Sequence, residues 1–143
     1  MSDTARAVVA GHGDYAAGII SAVDQITGRG SMLVPVSGAG RSAAEIEQAI
    51  RETMTERGLT VIFTDLQAGS CSMAARRMMK GLEGAVLVCG ANLPTLLDFV
   101  LADGLTPEEA ARRALERGRS AMVMLGGGSS SAPPFDPPAS GTP

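Results

Sequence analysis

Ala7-Val8-Val9-Ala10, running into Gly11-His12-Gly13-Asp14, is the stretch that decides the fold. It is an apolar run of strand length that stops at a glycine-rich turn and is followed by a segment of helical period over 15–26. The same unit recurs. Further apolar runs lie at 32–36, 60–64 and 85–89, and helical segments follow at 70–80 and 92–102. After the second run, Ser42 and Glu45 make a capping box ahead of Ile46, Ile50 and Met54, which share one helix face at i, i+4 and i+8. Strands alternating with helices predict an α/β fold, a small doubly wound parallel sheet in the order 2-1-3-4. Thr106-Pro107-Glu108-Glu109 opens one more helix, expected to run to about Arg117 before Gly118. Residues 121–125, Ala-Met-Val-Met-Leu, read as a fifth short strand at a sheet edge.

Composition narrows the function classes. A chain of 143 residues with 45% apolar content is the size of one domain, expected over 1–125. Residues 126–143 are rich in Gly, Ser and Pro and poor in apolar groups, which predicts a disordered tail. Twelve Lys and Arg against 15 Asp and Glu leave a net charge of −3, no electrostatic basis for binding nucleic acid or an anionic membrane. The apolar runs fall far short of the ~20 residues that cross a bilayer. Residues 1–6 are not a signal peptide, so a cytoplasmic protein is expected. With one histidine and two cysteines, Cys71 and Cys89, and no Cys-x-x-Cys, neither a disulfide framework nor a metal site is suggested.

In a doubly wound sheet, ligands bind beyond the carboxyl ends of the strands where the strand order reverses. Order 2-1-3-4 places strands one and three side by side there. Strand one ends at Gly11-His12-Gly13-Asp14 and strand three at Asp65-Leu66-Gln67-Ala68-Gly69-Ser70, so the only histidine meets a carboxylate from a distant segment. A carboxylate that holds one ring nitrogen leaves the other as a nucleophile, suited to accept a phosphoryl group. Which nitrogen stays free depends on which one Asp65 takes. Gly69-Ser70 opens the third helix, whose amides and dipole favour an anion.

Val8-Val9-Ala10-Gly11-His12-Gly13, Phe63-Thr64-Asp65-Leu66-Gln67-Ala68-Gly69-Ser70 and Gly90-Ala91-Asn92-Leu93-Pro94 together resemble the mannose-family enzyme IIA proteins of the bacterial sugar phosphotransferase system, over residues 5–125 in the same order. The resemblance implies a cytoplasmic phosphotransferase subunit. His12 would take a phosphoryl group from the histidine phosphocarrier protein and pass it to a sugar-specific IIB component, with Asp65 orienting it. Phosphate contacts would come from Leu66, Gly69 and Ser70. The resemblance further implies a homodimer that exchanges its C-terminal antiparallel edge strand, here residues 121–125. No cofactor or metal is implied, and membrane contact would be only through the IIC and IID subunits. Where many members read Asp-x-x-Gly-Gly-Ser-Pro/Thr, this chain has Ala68 and Cys71.

Other readings compete. Gly38-Ala39-Gly40-Arg41-Ser42-Ala43 fits a loose dinucleotide fingerprint, but it follows the second strand; its plain reading is a turn and helix cap. Cys71 with His12 and Asp65 imitates a Cys-His-Asp hydrolase, but Gly69-Ser70-Cys71-Ser72-Met73 lacks the second glycine of a nucleophile elbow. A regulatory phospho-switch and the phosphocarrier subunit of dihydroxyacetone kinase are the nearer alternatives. Arg41, Arg76 and Arg77 fit a solvated face better than a docking surface.

Overall fold

The computed structural model describes residues 5–128. Four parallel strands, β1 (Ala7–Gly11), β2 (Leu33–Ser37), β3 (Val61–Thr64) and β4 (Val86–Cys89), form one sheet in the order β2-β1-β3-β4. The expected order is the one observed. Val8 pairs with Val34 on one side and Ile62 on the other, and β1 is buried along its whole length, which is why its sequence shows no polar alternation.

Five helices cover the sheet: α1 (Tyr15–Thr27), α2 (Ala43–Arg57), α3 (Ser70–Met79), α4 (Leu93–Val100) and α5 (Pro107–Ser120). Alternation along the strands divides the core in two. Val9, Val61 and Phe63 face α1, α4 and α5, where Phe63 meets Phe99 edge to face with ring centres 5.0 Å apart. Val8, Ala10 and Ile62 face α2 and α3, where Ile46, Ile50 and Met54 are fully buried as their spacing predicts. The capping boxes at Ser42/Glu45 and Thr106/Glu109 are both formed.

Two differences concern the C-terminal part. Helix α5 passes through Gly118 and ends at Ser120. Gly118 is no left-handed cap: a Cβ there would overlap Thr95 Oγ1 and stand 2.9 Å from Asn92 Oδ1, so glycine lets α5 close on the start of α4. Asn92 uses that approach, donating from Nδ2 to the Gly118 carbonyl at 3.0 Å while its Oδ1 caps α4 at Thr95. The expected strand at 121–125 is not formed within the single chain; Met122, Val123, Met124 and Leu125 are exposed. A strand needs a neighbour to take its backbone groups, and the segment meets none among the described residues. Of the expected tail, 126–128 lack regular structure and 129–143 lie outside the described residues.

Candidate functional site

The site lies at the carboxyl ends of β1 and β3. β1 ends at Gly11, and His12 follows in the turn before α1, with its side chain half exposed. β3 ends at Thr64, which places Asp65 beside it with the carboxylate mostly buried. One oxygen, Asp65 Oδ2, accepts from both the His12 backbone N–H at 2.8 Å and the ring Nδ1 at 2.9 Å. A carboxylate facing two donors only accepts, so Nδ1 carries a proton, and in the neutral imidazole the lone pair is on Nε2. The second oxygen, Asp65 Oδ1, is buried and has no hydrogen-bond partner among the described residues, so the carboxylate is committed to His12.

Burial pushes the Asp65 carboxyl up, but the two hydrogen bonds and the charge of His12 outweigh it and hold the group below the usual carboxylate range. Its negative charge reaches two neighbours. With burial as the larger cause, it raises the Tyr15 phenol to about 12 and pushes the Cys71 thiol up.

The loop from Asp65 to Ser70 wraps the imidazole. Gly69 caps α3 with φ +131, a conformation that L side chains rarely adopt. A Cβ there would also press on His12 at 3.0 Å from Cε1 and 3.5 Å from Nε2. Glycine is thus needed twice at this position. It sets the N-cap of α3 against the imidazole, at a helix end whose dipole favours an anion. Ser70, exposed, opens the helix, and Leu66 stands exposed at the other end of the loop. All five expected site residues, His12, Asp65, Leu66, Gly69 and Ser70, belong to this one end of the sheet.

Two buried hydroxyls that sequence reading missed hold the loop. Ser72 Oγ bonds to Thr64 Oγ1 at 2.7 Å and to the Leu66 carbonyl, and Thr64 Oγ1 donates to the same carbonyl at 3.1 Å. Their signal was a threonine in the last position of an apolar strand and a serine one turn into a helix, both where a polar side chain must find a partner. Cys71, by contrast, is fully buried among α2 and α3, within reach of Gly38, so it does not front the site as a nucleophile. The 38–43 stretch is a turn and the cap of α2. Arg41 and Arg76 are exposed and bond to the carbonyls of Ser37 and Gln67.

The fold and the reversal of strand order at a half-exposed, carboxylate-held imidazole define a small doubly wound α/β domain with its candidate site at the switch point of the sheet. The chain belongs to the family described as the PTS system fructose IIA component, whose profile matches residues 6–115. Its general role is therefore phosphotransfer within a sugar phosphotransferase system. Solved structures share the fold. The mannose/sorbose-specific IIA subunit from Enterococcus faecalis is 17% identical with a TM-score of 0.75, over 90% of this chain and 99% of that one. The phosphotransferase system component EIIA from Streptococcus agalactiae is 18% identical with a TM-score of 0.74, over 83% and 95%. A PTS permease structure from Klebsiella pneumoniae is 22% identical with a TM-score of 0.70, over 85% and 91%. The comparison with curated proteins found no match. Among the described residues no helix is long and apolar enough to cross a membrane.

Proposed function

We propose that His12 carries the phosphoryl group, on Nε2, as the IIA step of a cytoplasmic sugar phosphotransfer chain. The observation that carries this is the 2.9 Å contact of Nδ1 with Asp65 Oδ2, which leaves the opposite nitrogen unprotonated and open to a partner. The Nε2 lone pair attacks the phosphorus of a phosphohistidine on the histidine phosphocarrier protein, and the donor P–N bond breaks with its electrons returning to the donor imidazole. The ring gains positive character as the new P–N bond forms, and Asp65, hydrogen-bonded at Nδ1, stabilises it. The amides of Leu66 and Gly69 and the Ser70 hydroxyl offer donors to the phosphoryl oxygens. Transfer to a IIB histidine is the same exchange in the other direction.

A homodimer belongs to this reading. β4 is one of the two outer strands of the sheet, with no neighbour on its far side among the described residues. A groove of about 570 Å³ borders it, lined in part by Cys89, Asn92, Thr95 and Met122. The exposed apolar residues 122–125 are suited to supply an antiparallel strand to the β4 edge of a second copy.

The test is the intact mass of the protein after incubation with phosphoenolpyruvate, enzyme I and the histidine phosphocarrier. One acid-labile phosphoryl addition is expected on the native chain and none on His12→Ala. Addition to His12→Ala, or none to the native chain from a competent donor, overturns the assignment. Onward transfer to a IIB protein separates a carrier from a terminal switch.

A further inference from the structure

Tyr15, the one tyrosine of the chain, has no part in the transfer just described, yet it is built into the site from three directions. Its backbone N–H donates to the His12 carbonyl at 2.9 Å, so the residue that opens α1 also closes the His12 turn. Its ring lies across Gly11: a Cβ on Gly11 would overlap Tyr15 Cδ2 and stand 2.9 Å from Cγ. The same Cβ would be 3.1 Å from Asp65 Cγ, so the ring and the carboxylate crowd the same side of the strand end. Its hydroxyl donates to the Ala91 carbonyl at 2.7 Å, in the turn after β4. The ring is thereby pinned at both ends. The phenol, raised to about 12 by burial and the Asp65 charge, stays protonated and keeps that bond at any physiological pH.

We infer that Tyr15 is a positioning residue for the His12–Asp65 pair: its ring walls the carboxylate from water and its hydroxyl anchors the ring to the β4–α4 turn, keeping Asp65 on Nδ1. The physical need is specific. Asp65 Oδ1 has no hydrogen-bond partner among the described residues, so the carboxylate is held through Oδ2 alone, by its two bonds to His12. A smaller apolar residue at 15 would admit water, let the carboxylate turn and release the imidazole to both tautomers.

The consequence for transfer rests on the His12 reading, so the test includes a measurement that does not. Nitrogen-15 NMR of the unphosphorylated protein reports which ring nitrogen of His12 carries the proton, in the native chain and in Tyr15→Leu and Tyr15→Phe, with circular dichroism to confirm folding. The native imidazole is expected in the Nδ1–H form. Tyr15→Leu is expected to show a mixture of tautomers and phosphoryl acceptance slower by about tenfold, the order seen when a ligand-orienting partner is lost. Tyr15→Phe keeps the wall and loses the anchor, and should show a smaller change in the same direction. A native nitrogen pattern in Tyr15→Leu overturns the inference; should that variant not fold, a native pattern in Tyr15→Phe does so. If the tautomers shift in Tyr15→Leu while the native protein accepts no phosphoryl group, the positioning role stands and the phosphoryl reading falls.

Discussion

Asp65 Oδ2 accepts two hydrogen bonds from a single residue, the backbone and ring N–H groups of His12, and the chemistry of the site turns on that arrangement. Asp65→Asn keeps the shape and loses the charge; its amide can offer a donor to Nδ1 and favour the unreactive tautomer. Phosphoryl acceptance should fall by about ten- to a hundredfold, measured as the initial rate by intact mass, without the complete loss expected of His12→Ala. The same carboxylate contributes to stability in a pH-dependent way. Its folded pKa is below its unfolded value, so the contribution is complete above roughly 3.9 and is lost as pH falls through the folded value. Urea denaturation should show the native chain losing its advantage over Asp65→Asn as pH is lowered through that window. Gly69→Ala meets both a positive φ and the His12 ring, and should cost about 1–3 kcal/mol in urea denaturation as well as slowing transfer. His12 and Asp65 were legible as a pair in the sequence because each follows an apolar strand. Which nitrogen faces outward was not, since it depends on the few tenths of an ångström that seat Asp65 Oδ2 against Nδ1.

At the scale of the element, the caps were the readable part. Ser42 with Glu45 and Thr106 with Glu109 accept the amide bonds that their spacing predicts. These are local contacts, three residues apart, and no distant packing competes with them. The end of α5 was not readable in the same way. Glycine after a helical run reads as a stop, but Gly118 is inside the helix because α4 lies where its Cβ would be. Gly118→Ala therefore has two opposing effects, better helix propensity and a clash with Thr95 Oγ1, and the clash dominates because it falls on a buried helix contact. A loss of about 1–3 kcal/mol is expected in chemical denaturation. A stabilised variant would show that α4 and α5 are not held together as described.

For the whole molecule, four parallel strands between two helical layers leave one side of β4 open, beside an apolar segment that finds no strand partner among the described residues. The exchanged-strand dimer proposed above would account for both. Truncation after Leu125 should leave light scattering at the dimer mass, and truncation before Ala121 should give monomer that still folds, since 121–125 contribute nothing to either core. A monomeric full chain would refute the exchange and leave the domain itself intact. The sequence alone determined the alternation of strands and helices, the sheet order and the meeting of His12 with Asp65, because these follow from periodicity, caps and the short connections of a parallel α/β chain. Only the tertiary structure decided that Nδ1 is the nitrogen held, that Tyr15 lies against Gly11 with its hydroxyl on the Ala91 carbonyl, that Thr64 and Ser72 lock the loop, and that Gly118 lies within α5. Each of these depends on the seating of groups between elements, where close packing, rather than local preference, selects the arrangement.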